Sequence, residues 1–369
     1  MKVERVRTAV YRIDLDVPES DGTLTWTHTT VPVVEVEAAG HTGLGHTYGP
    51  PACAAVVRDL LEEVVVGADA MDIPAAWGAM VGAVRNAGRP GVCSHAIAAV
   101  DVALWDLKAR LLDLPLVTLL GKARDGVAVY GSGGFTSLSD EELRRQLAGW
   151  VHERGIPRVK IKVGEAWGSR TQRDAARTAL ARRVIGADAE LFVDANGAYT
   201  AKQAVRMARV FADAGVSWFE EPVSSEDLAG LAAIRQRTDM DVAAGEYGYA
   251  VDYFQAMASA GAVDCLQADV SRCAGITEWV RVAAVARAHG LEVSGHTAQS
   301  LHLHPACAVP NVRHLEYFAD HERVERLLFD GVAEPTGGVL HPDCSRPGHG
   351  LALKRPDAER WLVAGRAGG

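Results

Sequence analysis

The sequence predicts an α/β protein, a parallel (β/α) barrel carried beneath a smaller α+β domain. Three observations support that class. The chain has 369 residues, more than the roughly 250 a barrel takes alone. From residue 126 onward, eight short β-rich runs alternate with Ala-, Arg- and Glu-rich helical segments, the rhythm of βα units. The runs are apolar almost throughout, as strands buried on both faces are.

Composition excludes several classes. With 48% hydrophobic and 23% charged residues, the chain has ample apolar surface to offset the entropy of ordering, so a mainly disordered chain is excluded. Thirty-eight basic against 47 acidic side chains give a formal charge of −9. No basic stripe interleaved with aromatics occurs, and a nucleic-acid partner is not expected. The N-terminal MKVERVRTAVYRIDLDV alternates charged and apolar residues, unlike a signal peptide. No apolar run approaches the ~18 residues of a membrane span. The six cysteines (Cys53, Cys93, Cys265, Cys273, Cys307, Cys344) are scattered without a CxxC. They read as reduced, mostly buried thiols of a cytoplasmic protein.

Residues 1–125 form the α+β domain. Val3–Asp16 and Val33–Glu37 alternate like antiparallel strands, joined by the polar stretch DVPESDGTLTWTHTT. Helical segments follow around Ala54–Val66 and Ala96–Leu112, and Pro115 marks the stop. Residues 126–325 hold the barrel, with VAVYGSGG, RVKIKVG, LFVDANG, SWFEEP, DVAAGE, DCLQADV, LEVSGH and RHLEYF as its strands. Gly131-Ser132-Gly133-Gly134 reads as a tight turn at the mouth. Residues 326–369, rich in Pro and Gly, are expected to return and pack on the first domain.

From the second run onward, most runs end in a titratable group. Lys160 and Lys162 close the second, Asp194 the third, Glu220 the fourth, Glu246 the fifth, Asp269 the sixth, His296 the seventh and Glu316 the eighth. Counted from Lys162, successive members lie 20 to 32 residues apart, about one βα unit each. Strand ends of a barrel converge on one mouth, where active sites are built. Asp194, Glu220 and Glu246 come from adjacent strands and would raise each other's pKa unless a cation neutralised them. All-oxygen ligands select a hard divalent ion, Mg2+ before Mn2+. Lys160 and Lys162 lie two apart and face the same way. Burial beside a cation is expected to lower a lysine pKa towards that of a useful base. Across the mouth, a carboxylate on one nitrogen of His296, supplied by Asp269, fixes the tautomer and frees the other nitrogen for proton transfer.

This carboxylate triad, the KxK pair and the strand-seven histidine resemble the enolase superfamily, in its mandelate racemase subgroup. KIKVG, VDANG, WFEEP, AAGE and SGH occur in that order, and the helix AIAAVDVALWDLKARLLDLPLVTLLG adds to the likeness. The resemblance implies a (β/α)7β TIM-like barrel with a capping domain built from both chain ends. It implies Asp194, Glu220 and Glu246 as Mg2+ ligands and Lys162 as base on one face, with Lys160 holding the substrate carboxylate. It implies His296, oriented by Asp269, on the opposite face, and Glu316 on the carboxylate or enediolate.

The sequence departs from the muconate-lactonizing subgroup, because Asp269 stands where a second lysine is found there. That argues against cycloisomerase and dipeptide-epimerase activities. Arg272 reads either as support for Asp269 or as an ordinary surface residue. The common first step is removal of a proton next to a carboxylate. Reprotonation then gives racemisation, and loss of a β-hydroxyl gives dehydration. Substrate choice is expected in capping loops about 17–30 and 45–52, where Trp26, His28 and Tyr48 stand out, and in Asn196. Their polarity favours dehydration of a sugar acid to a 2-keto-3-deoxy acid, ahead of a racemase or epimerase of a 2-hydroxy or amino acid derivative. A barrel that binds a carboxylate without turnover would be expected to have lost one of these groups. His302 and His304 could form a metal pair but lie away from the carboxylates. A small-molecule carboxylate substrate and a homo-oligomer are expected.

Overall fold

A computed structural model describes residues 1–365. Three antiparallel strands open the chain: β1 (Arg5–Ser20), β2 (Thr25–Ala38) and β3 (His41–His46). The stretch expected as a loop is therefore strand. β1 and β2 form one long hairpin, with Glu19 opposite Trp26 and Ser20 opposite Thr25, and a bulge between Asp14 and Glu19. The physical reason is local: Thr25, Thr27, Thr29 and Thr30 are β-branched, and polar residues suit a sheet with one wet face. The hairpin tip reaches the barrel, where Thr136 Oγ1 donates to Asp21 O at 2.7 Å and Trp167 N–H donates to Gly22 O at 2.9 Å.

The first helical segment runs through Ala52–Val56, a π-helical turn Val57–Leu61 and Glu62–Val65. A further helix, Ile73–Ala83, carried no sequence signal strong enough to be expected. Helix Val92–Leu111 is buried on nearly all sides because it packs against the cap sheet and against barrel helix Ile276–Ala288. Asp101 ties the two units together, accepting from Thr277 N–H at 2.9 Å and Thr277 Oγ1 at 2.6 Å.

Eight parallel strands close the barrel: β4 (Val127–Gly133), β5 (Arg158–Lys162), β6 (Glu190–Asp194), β7 (Val216–Glu220), β8 (Asp241–Ala244), β9 (Cys265–Ala268), β10 (Glu292–Gly295) and β11 (Val312–Phe318). Closure is by β11 against β4, Glu316 opposite Tyr130. Gly131, Ser132 and Gly133 belong to β4 and do not form the expected turn. Gly131 is needed in the strand because a Cβ there would lie 2.6 Å from Trp150. Tyr130, Phe192, Trp218, Ala243 and Cys265 make a dry floor inside the barrel.

Four short strands follow: β12 (Phe329–Asp330), β13 (Val339–Leu340), β14 (Ala352–Leu353) and β15 (Leu362–Gly365). β15 pairs antiparallel with β1, extending the cap sheet. β13 instead adds to β4, so the returning segment packs on both units. Among the described residues, no helix is long and apolar enough to cross a membrane.

Candidate active site

Strand register assembles the charged layer above the floor. Lys160 and Lys162 both face inward from β5 and are buried. Lys162 stands opposite Asp194 on β6, and Asp194 opposite Glu220 on β7. Glu246 lies just beyond β8, placed by Gly245 at φ +131°. A Cβ at Gly245 would fall 2.4 Å from Gln267 O, so only glycine lets the chain pass. Asp269 follows β9, His296 follows β10, and Glu316 sits within β11.

These side chains are mutually engaged. Lys160 is bound to Glu220, reaches Glu316 at 2.8 Å and lies 3.6 Å from Asp194. Lys162 is bound to Asp194. His296 Nδ1–H donates to Asp269 Oδ2 at 2.8 Å, while Nε2 lies 3.2 Å from Glu246 and 3.7 Å from Glu316. Asp269 is itself fixed by Ser271 N–H and Oγ, both at 2.7 Å. Arg272 bridges Glu246 at 3.2 Å and Asp269 at 3.3 Å, which settles its two readings in favour of support.

The electrostatics follow from burial and pairing. Burial pushes Glu220 up to about 8, although Lys160 opposes it. Burial would also raise Asp269, but the His296 bond and Arg272 hold it well below the usual carboxylate range. Burial alone would lower His296; Glu246, Glu316 and the Asp269 bond together outweigh it and bring it up to about 9. Lys162 behaves differently from expectation. Burial lowers its pKa, yet Asp194, Glu316 and Glu246 together more than compensate, and the ammonium sits above the ordinary lysine range. The protein's own charges therefore hold the proton on, and a further cation at the carboxylates is what would loosen it.

The residues fit such a cation. One oxygen from each of Asp194, Glu220 and Glu246 lies within 4.8 Å of the others, all three side chains being buried. Glu246 Oε2 is buried, with His296 Nε2 beside it at 3.2 Å. The five linked carboxylates Asp194, Glu220, Glu246, Asp269 and Glu316 outnumber the basic side chains that pair with them, Lys160, Lys162 and Arg272. All-oxygen donors suit Mg2+.

A cavity of about 500 Å³ opens over this layer. Lys162, Glu246, His296 and Glu316 form its floor, and Trp26, His28, Tyr48 and Asn196 line its walls. Trp26 packs edge-on against Phe135 and donates Nε1–H to Glu19 Oε2 at 3.1 Å. Asn196 adopts φ +45° beside the triad, its N–H donating to Asp194 Oδ1 at 2.9 Å. Sequence reasoning missed Asp320 and His321, which line the wall from helix Ala319–Leu328; their only signal is their nearness to Glu316 in the chain. It also missed Ser132, which donates to Glu316 Oε1 at 2.6 Å, and Trp218 and Gln267, which donate to Glu220 Oε2 at 2.9 and 3.1 Å. His302 and His304 do not form a metal pair. His302 Nε2 accepts Val270 N–H at 2.9 Å, and His304 Nδ1 accepts Val117 N–H at 3.1 Å.

A capping sheet over a closed barrel, with three converging carboxylates, a lysine pair and an Asp-bound histidine, defines a metal-assisted proton-abstraction class. Two family models match: the mandelate racemase / muconate lactonizing enzyme N-terminal domain over residues 6–121, and the enolase C-terminal domain-like family over residues 142–358. The chain belongs to the mandelate racemase/muconate lactonizing enzyme family of the enolase superfamily. It is 34% identical to a 3,6-anhydro-alpha-L-galactonate cycloisomerase of Streptomyces coelicolor, over 95% of this chain and 97% of that one. A mandelate racemase/muconate lactonizing enzyme-like protein from Rubrobacter xylanophilus is 50% identical with a TM-score of 0.95, covering 98% and 100% of the two chains. The L-talarate/galactarate dehydratase from Salmonella typhimurium, solved with Mg and L-lyxarohydroxamate, is 28% identical with a TM-score of 0.91, covering 99% and 94%. The relatives thus include both dehydratases and cycloisomerases, so the argument from Asp269 against cycloisomerases as a class does not hold. What Asp269 removes is one lysine. It leaves Lys162 and His296 in place.

Proposed function

We propose that the protein is a Mg2+-dependent acid-sugar dehydratase that converts an aldonate or aldarate to a 2-keto-3-deoxy acid. The observation that carries this reading is a lysine and an Asp-oriented histidine set around one buried carboxylate cluster, beneath a wall of largely polar side chains. Bound at Asp194, Glu220 and Glu246, Mg2+ supplies positive charge that stabilises the substrate carboxylate as negative charge develops on it. Lys162 Nζ, in its neutral form, takes the C2 proton, and the C–H electron pair becomes the C1–C2 double bond of an enediolate. Lys160 holds the carboxylate oxygens, and Glu316, which accepts from Ser132 and pairs with Lys160, positions that ammonium. His296 Nε2 donates a proton to the C3 hydroxyl as that C–O bond breaks, releasing water. The enol then gains a proton at C3 to give the 2-keto acid. Asp269 keeps Nδ1 protonated, so Nε2 is the nitrogen that exchanges its proton.

A second reading is favoured by the cycloisomerase relative. The same abstraction can expel a ring ether oxygen from C3 in place of a hydroxyl, and the product is then an isomer. Aldonic, aldaric and anhydro-aldonic acids incubated with Mg2+ and followed by semicarbazone absorbance should reveal a 2-keto product. Its mass separates loss of water from ring opening. Loss of optical rotation without keto product would instead identify a racemase and overturn the proposal.

A further inference from the structure

The two ends of the cavity differ in charge. At the barrel end, the lysine and arginine lining it are Lys162 and Arg272, and both are engaged by buried carboxylates. At the capping end the wall carries Asp21 and Asp320 and, among the described residues lining it, no lysine or arginine. Asp320 is buried at the start of helix Ala319–Leu328. It accepts from Thr29 Oγ1 and from Arg323 Nη2 at 2.7 Å. Arg323 is not among the lining residues. The field of Asp320 is felt nearby: burial first, then the Asp320 charge, pushes Glu19 up to about 8. His28 is the one remaining titratable imidazole on this wall besides His321.

His321 is fixed as a donor. Ala298 N–H donates to its Nδ1 at 3.0 Å, which leaves the proton on Nε2. Its ring stacks on Tyr48 with centroids 3.4 Å apart. Burial holds it well below the usual imidazole range, so it stays neutral. The Ala298 amide is aimed by a left-handed turn, φ +42° at Thr297 and +39° at Ala298. The same turn directs Thr297 N–H to Glu316 Oε2 at 3.0 Å. One strained segment, of the kind found at functional sites, therefore orients a group at each end of the cavity.

We infer that the capping end receives a neutral hydroxyl-bearing terminus: the substrate is a monocarboxylic sugar acid, an aldonate or anhydro-aldonate, and aldarates are excluded. The far hydroxyl donates to Asp320 and accepts from His321. A second carboxylate would meet Asp21 and Asp320 with no lysine or arginine among the described residues lining that end to receive it, Arg323 being turned to Asp320, and like charges brought together discriminate strongly between ligands. This narrows the acid-sugar reading above and rests on it.

Two measurements on the full-length protein with Mg2+ test it, using pairs of matched configuration: D-gluconate with D-glucarate, and D-galactonate with galactarate. Binding is read by thermal shift and calorimetry, turnover by 2-keto acid formation. At least one monoacid should bind more tightly than its diacid by about tenfold or more. Asp320→Asn should narrow that ratio by about tenfold, mainly by tightening the diacid. His321→Phe, which keeps the stack on Tyr48, should weaken the monoacid while leaving diacid binding unchanged. The inference is overturned if no monoacid binds better than its diacid, or if Asp320→Asn leaves the ratio unchanged. Monoacid-selective binding without keto product would overturn the dehydratase reading alone.

Discussion

The barrel mouth and the capping wall enclose one cavity and hold their polar groups in opposite ways. At the mouth, Lys160, Lys162, Asp194, Glu220 and Glu316 are buried on neighbouring strands, and backbone register fixes who faces whom. On the wall, Trp26, His28 and Thr29 come from a hairpin half open to water. The difference teaches which property each surface controls. A rigid, desolvated layer sets the chemistry, since charges there act strongly and pay no reorganisation. A partly wet hairpin can change side chains at little cost to the fold, so it sets selection.

The largest effect should come from the mouth. Lys162→Ala should lower kcat by about 10²–10⁴-fold, measured with whichever acid the screen identifies, without a matching rise in KM. His296→Asn should reduce net turnover on the same scale of about 10²–10⁴-fold, yet C2-proton exchange in deuterated water, followed by NMR, should survive. Full activity in the asparagine variant would remove His296 from the mechanism. For the carboxylates, saturating Mg2+ should raise the melting temperature of the wild type, the gain being about 2.7 kcal/mol at 100 times Kd. Glu220→Gln should lose most of that gain, and a wild type indifferent to Mg2+ would break the metal assignment.

The wall should respond more gently. Trp26→Ala removes the ring that packs on Phe135 and should raise KM by roughly tenfold with a smaller change in kcat, as lost uniform binding does. An equal loss in kcat would move Trp26 to the chemical side of the comparison.

Buried histidines sharpen the same contrast through pH. His296, among carboxylates, is raised, whereas burial without a carboxylate partner lowers His46 to about 3 and His304 to about 4. Below the ordinary value of 6.5 the unfolded chain takes up protons that these two sites refuse. Stability should therefore fall as the pH drops from about 6.5 to about 4, by a few kcal/mol in all. Denaturation midpoints across that range measure it. His46→Phe, at a ring already stacked on Phe329, should flatten the slope.

The sequence alone determined the barrel and its charged mouth, for a physical reason. Eight apolar runs of strand length, each followed by helix, have few ways to bury both faces, and a charge closing each run must then converge with the others. Lys162, Asp194, Glu220, Glu246, Asp269, His296 and Glu316 were legible because period and spacing alone bring them together. Tertiary structure decided what depends on neighbours distant in sequence. The Thr-rich hairpin extends because β1 and β2 pair along their length and their tip docks on the barrel. Ser132 reaches Glu316 only because β4 closes against β11. Arg272 serves two carboxylates only because β8 and β9 end side by side. Asp320 and His321 join the cavity through a helix that follows the last strand, and His321 becomes a donor only when the amide of Ala298 reaches its ring. No local pattern encodes such contacts, since each is a meeting of groups that chain order leaves apart.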